Sequence, residues 1–226
     1  MTPEIIFEDQ DLIVCIKPAG TATQSSMMQA PDMVSILKNY IYKNSPGKQQ
    51  PYLAVIHRLD QPVEGLLVFA KTPAAAKNLS RQLTQSGFGK HYRAILTGTP
   101  VSLEGDLTNY LVKDARTNSS RVCTADTPGA KKALLHYKIL ESKPPYSLAE
   151  ITLETGRHHQ IRVQMSHLGC PIAGDRKYGV TPAKDPREDG SPRSYDTLQL
   201  YACRLTFRHP RTGKELDFRL DKLRRL

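Results

Sequence analysis

The sequence predicts an α+β fold with a mixed, mostly antiparallel β-sheet flanked by helices and loops. Candidate strands outnumber candidate helices, and several neighbouring strands are joined by short turns, which favours antiparallel pairing. Apolar residues make up 39% of the chain and charged residues 24%, as in ordinary globular proteins. We expect residues 1–226 to form a single domain, because this length fits one compact unit.

The first half of the chain alternates apolar runs with turn residues. Strands are predicted from short apolar or alternating runs, and helices from apolar side chains at helical spacing after the capping residues Asp32 and Thr72. In chain order, we predict two strands joined by a turn at Glu8–Asp11, a helix over Met33–Lys43, central strands at Leu53–Ile56 and Leu66–Ala70, a helix from Thr72-Pro73 to about Thr84, a strand at His91–Leu96, and loops at 21–32 and 44–52.

The second half is expected to contain two hairpins and one helix. Prolines mark the turn of the first hairpin, and a glycine ends the helix. The predicted elements are a hairpin of Ala133–Glu141 with Ser147–Leu153, a helix over His159–Leu168 ended by Gly169, a polar surface loop at 180–194, and a hairpin of Leu198–Phe207 with Lys214–Leu220.

The charge of the chain points to a polyanionic partner. The net charge is +10, and residues 1–60 carry five Lys/Arg against six Asp/Glu, so the excess lies in residues 61–226. Each phosphate that such cations neutralise releases condensed counterions, which favours binding of nucleic acid. The basic residues are scattered through segments predicted to fold, which favours a folded binding groove over a disordered arm.

Cellular location and metal content are constrained by what the sequence lacks. No apolar run approaches the roughly 18 residues of a membrane span, and the acidic N-terminal stretch has no signal-peptide features. We therefore expect a cytoplasmic protein with no membrane partner. The four cysteines form no CxxC pair and the seven histidines show no zinc-ligand spacing, so reduced thiols and no metal are expected.

Three segments carry the candidate chemistry. HRLD, residues 57–60, lies between two apolar strands, where an unpaired carboxylate is costly, although Asp60 read alone could also cap a turn. In LETGRHHQIRVQ, residues 153–164, Arg162 is flanked by apolar residues and is expected to reach a carboxylate or phosphate, with His159 on the same helix face. In KHYRAILTG, residues 90–98, Tyr92 lies between basic residues; alone it would be a core side chain.

Together these segments resemble the RluA-type pseudouridine synthases. HRLD followed by GLLVFAK, then KHYRAILTG, LETGRHHQIRVQMSHLGCPIAGDRKYG and LQLYACRLTFRHPRTGKELDF occur in the order typical of that family, and the resemblance extends from KPAG at 17–20 to the last strand. It implies the pseudouridine synthase catalytic fold. The chain begins directly at the catalytic domain, so we expect no S4-like RNA-binding domain before it.

The resemblance also implies roles for individual residues. Asp60 corresponds to the essential catalytic aspartate, Tyr92 to the tyrosine that lies against the target uracil and accepts its proton, and Arg162 to the arginine that forms a salt bridge with the aspartate. His57 and Arg58 correspond to the loop that turns the target nucleotide out of its stack. The RNA-binding residues expected from this comparison are His57, Arg58, Lys90, Arg93, Arg157 and His159.

The sequence departs from the family pattern at positions that we expect to affect substrate contacts and not the chemistry. Residues 61–64 are Gln-Pro-Val-Glu where a basic residue and Asp-Thr-Ser are common. His158 replaces a frequent threonine, and Gln164 replaces a frequent histidine.

The reaction implied by the resemblance converts uridine in structured RNA, ribosomal or transfer RNA, into pseudouridine. It needs no electron transfer or hydrolysis, so no cofactor is expected, and the enzyme is expected to act as a monomer. An ionised carboxylate can attack the sugar, or it can help to remove the 2′ proton and give a glycal. The residues leave both routes open. A uridine within a helix or stem-loop must first be flipped out.

Two other functions compete with this interpretation. A glycosidase would also act on a sugar through a carboxylate, but it needs a second carboxyl acid, and neither Glu64 nor Glu154 has an obvious acid's setting. An RNA-binding module without catalysis would retain the positive charge but would need neither Asp60 nor Arg162.

Overall fold

The computed structural model describes residues 2–25, 31–45, 50–85, 87–179 and 195–220. The chain forms two compact units, of which the first comprises Met1–Lys90 and Tyr201–Leu223 and the second His91–Leu200 and Arg224–Leu226. Both units are built mainly from strands, and the predicted α+β class is confirmed. The single-domain boundary of 1–226 stays a prediction.

The described residues form eleven strands and three helices. In chain order they are β1 (Glu4–Glu8), β2 (Leu12–Lys17), α1 (Met33–Asn44), β3 (Ala54–Val55), β4 (Glu64–Ala70), α2 (Pro73–Gln85), β5 (Gly89–Thr97), β6 (Glu104–Asp114), β7 (Ser119–Cys123), β8 (Lys131–Lys143), β9 (Tyr146–Leu153), α3 (Gln160–His167), β10 (Leu200–Arg208) and β11 (Glu215–Arg219).

In the first unit β4 is the central strand. It pairs antiparallel with β2 from Gly65 to Ala70 and parallel with β10 at its start, where Tyr201 lies opposite Glu64 and Ala202 opposite Gly65. Gly65 has a φ of +135°, and a Cβ there would lie 2.3 Å from the carbonyl oxygen of Ala202. The glycine therefore allows β10 to approach the strand that follows the HRLD segment.

One part of the core of the first unit lies between this sheet and α2. The helix contributes Ala75 and Leu79, which pack with apolar side chains of β2 and β4 such as Val14 and Val68. Thr72 caps the helix by accepting the backbone N–H of Ala75 at 3.2 Å. The predicted start of α2 is thereby confirmed.

The interpretation of Leu53–Ile56 as a central strand was wrong. β3 contains two residues and pairs with the last two positions of β4. Further pairing stops because the ring Nε2 of His57 accepts the backbone N–H of Val68 at 3.4 Å. The chain thus leaves the sheet at His57 and forms the HRLD segment.

The second unit contains a sheet with the strand order β5-β9-β8-β6-β7. The predicted β8–β9 hairpin is confirmed, and α3 packs on β6 and β8 through a cluster of Leu111, Ala133 and Val163. The sequence did not reveal β6 and β7. Their mostly polar, half-exposed residues carry little apolar periodicity.

The predicted helix boundaries are confirmed closely where a side chain caps the helix. Asp32 forms a capping box with Ser35 at the start of α1. His159, expected inside α3, instead precedes it as the N-cap with a left-handed φ of 53°. The loop predicted at 180–194 lies outside the described residues, as do parts of the loops at 21–32 and 44–52. Among the described helices, none has the length and apolar character needed to cross a bilayer.

Candidate active site

The HRLD segment lies in the first unit between β3 and β4. Leu59 is buried, Asp60 is half-buried and Arg58 is exposed. The hydroxyl of Thr23 accepts the backbone N–H of Leu59 at 3.1 Å and donates to its carbonyl oxygen at 3.0 Å. The N–H of Val63 donates to the carbonyl oxygen of Asp60 at 3.0 Å. The backbone on both sides of the Asp60 side chain is therefore fixed by hydrogen bonds.

Lys17 is a buried cation that is hydrogen-bonded to this segment. Its side chain is fully buried, and Nζ donates to the carbonyl oxygens of Pro18 (2.9 Å), Thr21 (2.7 Å) and Gln61 (2.9 Å). Burial lowers the pKa of Lys17 to about 8, against the opposing attraction of Asp60 and Glu64. Lys17 therefore connects the KPAG turn to the residue after Asp60 and places a positive charge within electrostatic range of that carboxylate.

His57 is half-buried, although we expected an accessible RNA contact at this position. Its ring packs edge-on against Phe88, and burial lowers the pKa of His57 to about 3, so the imidazole is neutral. With Nε2 accepting from Val68, the side chain completes the edge of β4. The assignment of His57 to RNA binding stays a prediction, with both ring nitrogens directed inward. Arg58 is exposed and is the residue of this pair that can meet a ligand.

Strand β5 carries the next group of predicted residues. Tyr92 is buried, with 6% of its surface exposed. Lys90 is also buried, at 8%, which is a poor position for an expected phosphate contact. Arg93 is half-buried, and its Nε has no hydrogen-bond partner among the described residues. Of these three residues, Tyr92 is the one whose burial fits its predicted role against the uracil.

Arg162 lies on α3 in the second unit and forms a two-pronged ion pair with Asp175. Its Nε donates to Oδ2 and its Nη2 to Oδ1, each at 2.7 Å, and both side chains are buried. The Tyr178 ring lies 5.0 Å below the guanidinium carbon. The pKa of Asp175 is lowered: burial opposes ionisation, but the hydrogen bond and charge of Arg162 outweigh it, with further backbone N–H donors. Arg162 is thus held in one orientation, and its salt bridge to Asp60 stays a prediction.

A hydrogen-bonded network surrounds the start of α3. The hydroxyl of Tyr178 accepts the backbone N–H of Ser120 at 2.8 Å and lies 2.7 Å from Nδ1 of His159. Burial, with the nearby charge of Arg162, lowers the pKa of His159 to about 4, so this ring is neutral. His159 is buried, and its expected position on the helix face beside Arg162 is corrected to the N-cap.

Two glutamines of α3 form hydrogen bonds that stabilise the fold. Oε1 of Gln160 accepts from the Thr155 hydroxyl at 2.7 Å and from the Arg157 N–H at 2.9 Å, which fixes the turn before the helix. Gln164 is fully buried, and its amide donates to Oδ1 of Asn109 at 2.8 Å. The departure from the family pattern at Gln164 therefore lies at a buried position of the second unit. Arg157 is exposed, as an RNA-binding residue requires.

One group of side chains in the described residues has the spacing of a metal site. The potential ligand atoms of Asp9, Asp11 and His209 lie within 4.8 Å of one another. Asp9 accepts the N–H groups of Asp11 and Leu12 and lies 2.6 Å from Nε2 of His209, while Arg211 forms an ion pair with Asp11 at 2.7 Å. These contacts explain the group as a connection between the β1–β2 turn and the β10–β11 turn.

The sequence missed three residues of the candidate site. Lys17 was visible as a charge at the end of the apolar strand LIVCIK, and Asp175 and Tyr178 belong to the GDRKYG segment, but neither pattern shows what the side chains contact. Asp60 belongs to the first unit, and Tyr92 and Arg162 belong to the second.

Comparison with known proteins identifies the family of this chain. The RNA pseudouridylate synthase family matches residues 11–167. The chain is 34% identical to ribosomal large subunit pseudouridine synthase D of Vibrio cholerae over 95% of its own length and 65% of that protein, and 34% identical to the Zymomonas mobilis protein of the same name over 95% and 68%. The chain thus spans about two thirds of these relatives.

Solved structures show the same fold. Human RNA pseudouridylate synthase domain containing 4 superposes with a TM-score of 0.75 at 24% identity, covering 96% of this chain and 88% of that one. Human RNA pseudouridylate synthase domain containing 1 gives a TM-score of 0.72 at 22% identity, covering 98% and 84%. The family match covers more than half of the residues and contains Asp60, Tyr92 and Arg162. This chain belongs to the RNA pseudouridylate synthase family.

Proposed function

We propose that the protein isomerises uridine in structured RNA to pseudouridine, with Asp60 as the catalytic carboxylate. The observation that carries this proposal is the setting of Asp60. It is half-buried in a segment fixed on both sides, within electrostatic range of a fully buried ammonium, Lys17. An ammonium and a carboxylate that attract each other both favour their charged forms, and the reaction needs the carboxylate anion.

The reaction balances without any additional reactant. The bond between N1 of uracil and C1′ of ribose breaks, the detached uracil turns, and C5 forms a bond with C1′. C5 loses a proton and N1 gains one. Asp60 acts at the ribose, where positive charge develops as the first bond breaks.

Tyr92 and Arg162 provide the remaining roles. The buried ring of Tyr92 lies against the uracil, and its hydroxyl accepts the proton from C5. Arg162, oriented by Asp175 and Tyr178, pairs with the Asp60 carboxylate through a planar guanidinium, which can hold two oxygens at once. Arg58 is the exposed cation next to the catalytic loop and contacts the flipped nucleotide.

We further propose ribosomal RNA as the substrate. The curated relatives from Vibrio cholerae and Zymomonas mobilis are named as ribosomal large subunit enzymes, and this chain resembles them over 95% of its length. Transfer RNA is the alternative that the experiment must test.

The experiment maps pseudouridine at nucleotide resolution in total RNA from cells with and without the gene. Loss of one or more sites in large-subunit ribosomal RNA, restored by the wild-type gene and not by an Asp60→Asn gene, is the expected result. Loss confined to transfer RNA would overturn the substrate assignment. An unchanged map, with no activity of the purified protein on unmodified transcripts of either class, would overturn the function.

A further inference from the structure

Positive charge is distributed unevenly over the sheet of the second unit. Around the β6–β7 hairpin, residues 113–132 contain five Lys/Arg and two carboxylates. All five cations are exposed, and none forms an ion pair within the described part of the chain. The five are Lys113, Arg116, Arg121, Lys131 and Lys132.

Cations at the other end of the same sheet are neutralised by carboxylates. Lys138 forms an ion pair with Glu104 at 2.8 Å, and Lys143 one with Glu141 at 2.6 Å. β6 and β8 pair along their length, so the two ends belong to one surface with different electrostatics. The hairpin end therefore carries the charge that an anionic ligand can neutralise.

The carboxylate nearest to the hairpin turn has a different task. Oδ1 of Asp114 accepts the backbone N–H of Arg116 at 2.8 Å, and this bond shapes the turn. Asp114 therefore binds the backbone of Arg116 and, in the described structure, forms no ion pair with its guanidinium. Asn118 supports the same turn with a left-handed φ of 47°.

The turn is also held from outside the hairpin. Nζ of Lys177 donates to the carbonyl oxygens of Thr117 and Asn118 at 3.0 Å each, and Ser120 donates its N–H to the hydroxyl of Tyr178. The segment that contains Lys177 and Tyr178 also contains Asp175, which orients Arg162. The hairpin is thus preorganised and connected to the segment that positions a residue of the candidate site.

We propose that the β6–β7 hairpin binds the RNA backbone through Lys113, Arg116 and Arg121. The inference rests on the proposed function and adds a binding surface to it. Lys113 lies opposite Ser120 on the face that packs against α3, Arg121 lies on the opposite face, and Arg116 lies in the turn between them. An RNA strand that crosses the tip of the hairpin meets all three cations, and its phosphates provide the charge that no carboxylate provides.

The test replaces the three cations by glutamine in one variant, Lys113→Gln/Arg116→Gln/Arg121→Gln. A matched control, Lys77→Gln/Lys138→Gln/Lys143→Gln, removes the same charge from exposed positions elsewhere. The probe is a fluorescently labelled, unmodified RNA stem-loop with a uridine-containing loop, and its Kd is measured as a function of salt concentration. All six side chains are exposed, so thermal melting should be the same for both variants and wild type.

For the hairpin variant, we expect the slope of log K against log salt concentration to be shallower than that of wild type by about two to three. We also expect this variant to bind the RNA at least about tenfold more weakly at 0.1 M salt. The control should bind within about twofold of wild type. A hairpin variant with the wild-type slope and Kd would overturn the proposal, even if the protein isomerises RNA. A protein that binds RNA through the hairpin but never isomerises it would overturn the proposed function alone.

Discussion

Nζ of Lys17 donates to the carbonyl oxygen of Gln61 at 2.9 Å, across 44 positions of sequence. This bond, with those to Pro18 and Thr21, joins the end of β2 to the residue that follows Asp60. A charged group is rarely buried unless its hydrogen-bonding capacity is used, and here three carbonyl oxygens use it. The Asp60 loop therefore depends on a residue that the catalytic motif does not contain.

Replacing Lys17 by methionine tests this dependence. Lys17→Met leaves three carbonyl oxygens without their donor, and we expect a loss of about 2 to 4 kcal/mol in the free energy of unfolding. We also expect a slower single-turnover rate, because the Asp60 loop loses its attachment. Lys77→Met, at an exposed position of α2, is the control for denaturant unfolding and rate. A Lys17→Met protein with wild-type stability and rate would show that the buried ammonium is dispensable.

The Arg162–Asp175 pair is tested by Asp175→Asn. The amide keeps the shape of the side chain but offers one acceptor oxygen and no charge, so Arg162 loses its fixed orientation in a buried site. We expect the single-turnover rate to fall by about 10- to 100-fold, with little change in the Kd for RNA.

The chain contains a matched control for this variant. Arg204 and Asp217 form a similar two-pronged pair, but it is exposed on the β10–β11 hairpin. Because exposed ion pairs contribute about 0 to 1 kcal/mol, Asp217→Asn should leave rate and stability nearly unchanged. Equal effects of the two substitutions would contradict a special role for Asp175.

The lowered pKa of His57 predicts a pH dependence of stability. The pKa of His57 is about 3 in the folded protein, against about 6.5 in the unfolded chain. The unfolded state therefore binds the proton first, so stability is retained above pH 6.5 and lost as the pH falls below it. We expect the free energy of unfolding to fall by about 2 kcal/mol between pH 7 and pH 5 through His57.

Urea unfolding at several pH values measures this loss. His57→Gln keeps a hydrogen-bond acceptor without a titrating ring, so its stability should fall less steeply below pH 6.5. His167→Gln changes an exposed histidine at the end of α3 and should follow the wild-type curve. A His57→Gln curve parallel to wild type would place the acid sensitivity elsewhere.

Tyr92→Phe separates binding from chemistry. Phenylalanine retains the buried ring that lies against the uracil but lacks the hydroxyl that accepts the proton from C5. We expect RNA affinity within a few-fold of wild type and a rate reduced by at least about 100-fold, since general base catalysis contributes about 10²- to 10⁴-fold. Tyr110→Phe, on β6, is the control. If Tyr92→Phe lost affinity and kept its rate, Tyr92 would be a binding residue and another group would accept the proton.

The sequence predicted the fold where local signals determine structure. The Asp32 capping box, the Thr72 cap and the Lys143–Tyr146 turn were each predictable because one short segment specifies them. β6 and β7 were not, since their stability comes from pairing with β8 and from α3 packing on one face. Periodicity within one strand cannot reveal a neighbour that is distant in sequence.

The candidate site shows the same division. The motifs identified Asp60, Tyr92 and Arg162 as residue types in a recognisable order, but contacts across the fold decide what each side chain meets. His57 looked like a polar loop residue, but its ring packs against Phe88 and replaces a strand partner of Val68. Asp175 follows Arg162 by thirteen positions, and only the folded chain shows that the two side chains pair.

The central claim is that Asp60 carries out the chemistry, and the single-turnover rate of Asp60→Asn tests it most directly. The measurement uses a large-subunit ribosomal RNA transcript that wild-type protein modifies, with protein in saturating excess. Glu64→Gln is the control, because Glu64 is the other carboxylate that attracts Lys17 and lies four positions after Asp60 in the sequence. We predict a rate for Asp60→Asn below about one hundredth of wild type with RNA affinity retained, and a Glu64→Gln rate within several-fold of wild type. An Asp60→Asn protein that converts uridine at more than about one hundredth of the wild-type rate would contradict the account.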